Sequence, residues 1–373
     1  MGLLKGALTF SRYRIQGDLP DPARPFLEGQ MKTYAFREIT TGTEEKSKGW
    51  ASVENVLDTD FSRATYAYGN YLAFLLRIDR KVIPPSLLKI KCLEAGKKLR
   101  KENQRRVGKQ QENEIKERIR LELLNKANPS PSFFDVCWSV PEKWLLFGSL
   151  SSKINEEFED LFKRTFQVNL APFYPWDPGV LEASLAKKVT TLEKGVFLAP
   201  EGKGEGQKDG GFLGREFLTW LWYKSQEREG AVKVPNLGDL QVVFSRRIVL
   251  ESGDGEFSES VVCQGLHADL KEGKTAIRHG KKIKEARIQL TRDTEKWEFT
   301  LKADAFQFQS LRLPEGMESD NPNDVEGEIL ERIYLAEKAL QTMDQVFSLF
   351  LTKRASPQWA SEEIPRIKKW GQN

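Results

Sequence analysis

Residues 88–126 read LKIKCLEAGKKLRKENQRRVGKQQENEIKERIRLELLNK, and the fold turns on how that stretch is understood. Leu88, Cys92, Ala95 and Leu99 recur at helical spacing before its middle, and Ile115, Ile119 and Leu123 after it. Between residues 100 and 114 only Val107 is strongly apolar, so the middle has no face to bury. The pattern predicts two helices meeting near Gly108, with an unburied tip projecting into solvent. From 97 to 126 the basic residues are Lys97, Lys98, Arg100, Lys101, Arg105, Arg106, Lys109, Lys116, Arg118, Arg120 and Lys126, eleven against five glutamates. That local excess of six is larger than the net +4 of all 373 residues. Lysine and arginine at this density, off the core, suit contacts to phosphate without base reading. The plainer alternative is a solvated hairpin whose charges do nothing specific. No aromatic residue lies between 97 and 126, which argues against a stacking platform for single strands.

Working outward, residues 8–15 alternate apolar and polar side chains as a half-buried strand does, and 71–78 form a continuous apolar run. Residues 136–140 and 144–147 read as the arms of a hairpin around Pro141-Glu142-Lys143. Ile154, Phe158, Leu161, Phe162 and Phe166 then predict a helix with one face on the strands. Pro172, Pro175, Pro178 and the glycine tract at 202–211 mark a boundary; the tract lacks the order of a phosphate-binding loop and reads as a linker. Beyond it, Leu213, Phe217, Trp220, Leu221 and Lys224 form one helix stripe. Strand character follows at 241–250, 256–264, 286–290 and 297–301, with a turn at 293–296. The clearest period in the chain runs through Ile329, Ile333, Ala336, Leu340, Met343, Phe347 and Phe350, with Asn323 and Glu326 as a capping-box variant upstream. That stripe is either an intramolecular core face or a dimer seam. The expected fold class is therefore α+β, with antiparallel-rich sheets, long helices and a projecting basic helical hairpin. The expected regions are an N-terminal α+β part at 1–172 containing the hairpin 86–126, a Pro/Gly-rich linker at 173–211, and a C-terminal α+β part at 212–373 ending in an amphipathic helix, 324–354.

With 39% apolar and 30% charged residues, the chain has material for two or three domains and is not globally disordered. Two histidines and three cysteines, Cys92, Cys137 and Cys263, leave little for zinc sites or nucleophilic triads. With no CxxC and an odd count, the cysteines read as reduced, buried small side chains in a cytoplasm. The longest apolar run stops at Arg77, far short of a membrane span, and residues 1–6 lack the apolar core of a signal peptide. No cofactor or metal is expected.

A second basic cluster, Arg278, Lys281, Lys282, Lys284 and Arg287, reads either as an addition to the phosphate surface or as an ordinary basic loop. Asp254, Glu272 and Lys274 have the order of a restriction-type nuclease core, a weak signal because Gly253-Asp254-Gly255 reads as a turn. His267 and His279 stand alone. The acidic segment 315–331 is a third candidate surface, for a protein partner.

Gly49-Trp50-Ala51-Ser52-Val53, Tyr68-Gly69-Asn70-Tyr71-Leu72, Arg77-Ile78-Asp79, the basic hairpin and Phe133-Phe134-Asp135-Val136-Cys137-Trp138, taken in order, resemble the bacterial recombination-associated RdgC family. The most specific piece is Ile83-Pro84-Pro85-Ser86-Leu87-Leu88-Lys89, the entry into the long charged hairpin. The resemblance continues through Glu159-Asp160-Leu161-Phe162 and, more loosely, through residues 214–222 to the terminal helix. It implies an RdgC-like, non-enzymatic protein, cytoplasmic and nucleoid-associated. Such a protein forms a homodimeric ring around double-stranded DNA with little sequence preference and limits recombinase activity, with a recombinase filament as a further partner. The expected DNA-binding residues are Lys97, Lys98, Arg100, Lys101, Arg105, Arg106, Lys109, Lys116, Arg120, Lys281, Lys282 and Lys284. Where the enterobacterial pattern carries Pro and a ring-closing Phe, this chain has Asn125 and Asn128; closure would then use residues 129–131, Phe133, or not occur. The alternative expectation is a metal-dependent nuclease acting through Asp254, Glu272 and Lys274.

Overall fold

The computed structural model describes residues 2–40, 44–61, 65–103, 108–192, 211–227, 230–235, 237–252, 259–265, 271–315 and 324–372. In chain order the first half contains β1 (Leu8–Gln16), α1 (Ala23–Thr33), β2 (Lys46–Ser52), β3 (Ala67–Tyr68), β4 (Tyr71–Lys81), α2 (Pro85–Asn103), α3 (Lys109–Lys126), β5 (Pro129–Ser139), β6 (Trp144–Phe147), α4 (Ser152–Phe166) and β7 (Asn169–Pro172). The second contains α5 (Ala183–Val189), α6 (Gly211–Glu227), β8 (Ala231–Val234), β9 (Gly238–Glu251), β10 (Ser260–Gly265), α7 (Lys271–Arg278), β11 (Lys282–Arg292), β12 (Glu295–Lys302), β13 (Gln307–Arg312), α8 (Val325–Arg354) and α9 (Ile364–Gln372), with a π turn, Trp359–Glu363, before the last. The strands run in the order β10-β9-β11-β12-β13-β1-β6-β5-β4-β2, with β3 on β4, β7 on β1 and β8 on β9. The fold is a mixed helix and antiparallel-sheet structure, as the α+β reading expects.

The first strand explains how the two halves join. Leu8 and Phe10 pair with Leu311 and Phe308 of β13, whereas residues 11–14 pair with β6. Its buried side chains are Leu8 and Phe10, then Ser11, Tyr13 and Ile15, so the alternation slips by one residue at Ser11. In a period-two strand such a slip sends the later side chains to the other face. Leu8 and Phe10 accordingly join one hydrophobic cluster with α6, α8 and the second-half strands, and Tyr13 and Ile15 join another under α4. The apolar run of β4 is buried on both sides without a slip, because each of its faces meets a cluster: Ala73 and Leu75 enter the first, Phe74 and Leu76 the second.

Under α4 the core is aromatic, with Phe147 and Phe158 stacked at 3.8 Å and the Trp50 indole donating to Thr165 Oγ1 at 2.9 Å. On the other face, α8 buries every member of the expected stripe from Ile329 to Phe350, so its core reading holds within one chain. The helix is capped by the Asp324 carboxylate, which accepts from the Gly327 amide at 2.9 Å. Asn323, expected to cap it, lies outside the described residues.

Other expectations are corrected. Helix α6 buries Leu213, Phe217, Trp220 and Leu221 but also Trp222 and Tyr223, because the sheet, α8 and α9 enclose it on several sides rather than one. Gly214 permits this, since a Cβ there would collide with the Ala303 carbonyl. Cys137 and Cys263 are buried, but Cys92 is only half-buried, being on a helix that packs mainly against α3. The expected turn at 293–296 narrows to two residues, with Asp293 left-handed and β12 already begun at Glu295. Within the expected linker, residues 173–192 pack: Trp176 is buried against Phe306 and Phe347, and α5 buries Val189. Residues 193–210, with most of the glycine tract, lie outside the described residues. Among the described residues no helix is long and apolar enough to cross a membrane.

Candidate nucleic-acid interface

The helical pair takes the place of a turn. Strands β4 and β5 pair from Tyr71 with Ser139 to Lys81 with Pro129, and α2 and α3 are inserted between those last two residues. Pro85 opens α2 at the position where a missing amide proton costs nothing. Gly108 precedes α3, with its amide donating back to Gln111 Oε1 at 3.3 Å. Pro129 and Pro131 are tolerated in β5 because β6 pairs only with residues 136–139, leaving the proline segment with one free edge.

Helix α2 packs against α3, and the buried residues of α3 are Ile115, Ile119 and Leu124. A cavity of about 620 Å³ lies between the two helices, lined by Leu88, Cys92 and Gly96 on one side and Ile115 on the other. Lys97, Lys98, Lys109 and Lys116 are exposed and have no acidic partner among the described residues. Arg100 and Lys101 continue the backbone of α2, and Arg105 and Arg106 lie outside the described residues. Arg120 differs from its neighbours: its guanidinium meets Glu45 at 2.6 Å, tying α3 to the start of β2.

The second cluster sits on and beside β11, at the other end of the strand order, so the fold does not gather the two into one patch. Its charges are largely answered within the fold. Lys281 meets Glu259 at 2.9 Å, Lys284 meets Glu251 at 3.0 Å, and Lys282 is half-buried and engaged. Glu251 also accepts from Arg215, which pairs with Asp304 as well. Arg287 meets Glu298 at 3.0 Å, and this hydrogen bond holds the Glu298 carboxyl below its ordinary range.

The sequence reading missed the other character of the hairpin. Val82, Leu87, Ile90, Leu93 and Leu121 are large apolar side chains left exposed on it or at its base. The signal was present: α2 carries a second apolar series at 87, 90 and 93 beside 88, 92, 95 and 99, more than one facing helix can cover. Phe133, a candidate for ring closure, lies on β5 with the Arg77 guanidinium 5.8 Å from its ring centre, and Asn128 is exposed.

Of the nuclease constellation, Asp254 lies outside the described residues, Glu272 is exposed on α7, and the Lys274 ammonium sits over the Trp370 ring at 5.2 Å; the lone His267 also lies outside the described residues. His279 is exposed beside the Thr275 carbonyl. Among the described residues no three acidic, histidine or cysteine side chains come together as a metal-ligand group.

Residues 9–178 match the family model described as "Putative exonuclease, RdgC". The match takes in β1 to β7 and the whole hairpin, and stops before α5, so the looser resemblance at 214–222 and the terminal helix lies beyond it. Among curated proteins none matches the chain.

Proposed function

We propose, for a chain that belongs to the RdgC family, that it binds double-stranded DNA without sequence preference as a homodimeric ring or clamp and thereby modulates recombinase activity in DNA recombination. The observation that carries this reading is the hairpin: α2 and α3 are read as projecting from the sheet, with Lys97, Lys98, Lys109 and Lys116 exposed and without acidic partners among the described residues. Cations in that state attract phosphate and release its counterions without reading bases. Leu87, Ile90, Leu93 and Leu121 support the dimer, since an exposed apolar set on a charged helix pair is the kind of surface a second copy covers. Association should therefore be salt-dependent, with log affinity falling by about 0.9 per log salt for each phosphate contacted. Scrambled duplexes should bind alike, and solution mass should report two chains, reverting to one in Leu87→Glu with Ile90→Glu. A salt-independent affinity, or a strong preference among scrambled sequences, removes the proposal.

The words attached to the family model favour a second reading, a nuclease. Labelled duplex incubated with magnesium or manganese tests it: cleavage that disappears in Asp254→Ala or Glu272→Ala would establish it, and intact DNA would not support it.

A further inference from the structure

A cleft of about 710 Å³ opens between β1, the β5–β6 turn and α8, away from the hairpin. Tyr71 and Trp144 form part of its wall, both half-buried, with ring centres 5.8 Å apart and planes inclined by 46°. The Tyr71 hydroxyl donates to Glu337 Oε2 at 2.9 Å, and Glu142 lies on the turn at the same cleft. Three cations also line it, yet each has a carboxylate of its own: Arg12 on Asp344 at 2.6 Å, Arg14 on Asp177 at 2.7 Å and Lys143 on Asp18 at 2.7 Å. Glu142 and Glu337 have no cation among the described residues. The balance is two uncompensated carboxylates beside two aromatic rings. A phosphate finds no free cation here.

We propose that this cleft binds an arginine side chain carried by a partner polypeptide. A guanidinium can lie against a ring face while its donor fork reaches a carboxylate, which a compact ammonium does less well. The cleft is also within the range of ligand pockets and far larger than one guanidinium, leaving room for the flanking main chain. Burial pushes the Glu337 carboxyl up, the Tyr71 hydrogen bond opposes this, and the charge of Glu142 adds to it. An arriving cation relieves both costs at once. The site is independent of the DNA surface and can hold or fail without it.

The test is titration of the full chain with acetyl-Gly-Arg-Gly-amide, its uncharged citrulline counterpart and spermidine, followed by calorimetry, with duplex affinity measured in parallel. The arginine peptide should bind, the citrulline peptide at least about tenfold more weakly, because a charge-assisted hydrogen bond is lost. Glu337→Gln keeps an acceptor for Tyr71 and should weaken the arginine peptide by about tenfold or more, with DNA affinity unchanged. Glu142→Gln, on an exposed turn, should act in the same direction by less. Equal binding of arginine and citrulline peptides, an unchanged affinity in both variants, or no binding at millimolar peptide overturns the proposal. Spermidine binding more tightly than the peptide would replace it with a small polyamine site.

Discussion

The hairpin and the β11 cluster look alike as strings of lysine and arginine, and the fold treats them oppositely. On α2 and α3, Lys97, Lys98, Lys109 and Lys116 are exposed without acidic partners among the described residues. Around β11, Lys281, Lys284 and Arg287 each face a glutamate within about 3 Å. A compensated cation has already exchanged its solvent for a partner and has less to gain from a phosphate; an uncompensated one has not. The difference follows from what each segment is attached to. Strand β11 is sandwiched between β9 and β12, whose side chains supply Glu251 and Glu298, whereas α2 has α3 as its packing neighbour.

The largest effect that would break this contrast is on DNA affinity. Replacing Lys97, Lys98, Lys109 and Lys116 together by Ala should make the salt slope shallower by up to about 3.6 and weaken duplex binding on the order of a hundredfold at moderate salt. Thermal stability should change little, since exposed charges away from caps and cores usually stay within about 0.5 kcal/mol each. Wild-type affinity in a folded quadruple variant would make the hairpin a solvated bystander and move the DNA surface elsewhere.

A second variant sharpens the structural side of the contrast. Ile119→Ala removes one of the three buried residues of α3 and should cost about 2 to 4 kcal/mol locally. Both main clusters lie under α4 and under α6 and α8, so the loss should appear as faster hydrogen exchange in residues of α2 and α3 with the strands still protected. Uniform loss of protection across the sheet would mean that the hairpin is coupled to the core more tightly than its packing indicates.

These expectations also show what could be read from the sequence. Helix α8 was legible because its apolar residues repeat over about six turns, and β4 because a continuous run of that length has few other uses. The hairpin was legible from its entry prolines and charge density. Strand β13 was missed: Gln307–Arg312 is short and polar, and Ser310 within it adopts a left-handed conformation that breaks the alternation. The state of each basic residue was not legible at all. Arg120 finds Glu45 across 75 positions, Lys284 finds Glu251 across 33, and Lys281 finds Glu259 across 22, separations set by strand pairing and not by any local pattern.

For the β11 cluster itself, Lys281→Ala with Lys284→Ala should leave the salt slope within about one unit and duplex affinity within about threefold. The visible change should be a small loss of stability, because Glu251 keeps Arg215 but loses Lys284, and the largely buried Lys281 stem loses its packing. A slope change as large as that of the hairpin variant would erase the contrast between the two regions.

The smallest expected effect lies in the pH dependence of stability, and it separates charge pairing from packing. Arg287 lowers the Glu298 carboxyl relative to an unfolded glutamate, first through its hydrogen bond and then through its charge, with Arg312 adding to it. A group whose folded pKa is depressed binds fewer protons in the native state, so its contribution is complete above the unfolded value of about 4.3 and is lost as the pH falls through the folded one. Arg287→Ala removes the partner that lowers it. Wild type should therefore exceed this variant by about 1 kcal/mol near neutrality, a figure kept small by the partial exposure of both side chains, and the margin should shrink as the pH falls below about 4.3. Thermal melts from pH 3 to 7 read the margin directly. A difference that stays constant over that range would assign the role of Arg287 to its aliphatic stem and its hydrogen bond to the Ser310 carbonyl, and would remove Glu298 from the argument that the β11 cations are electrostatically spent.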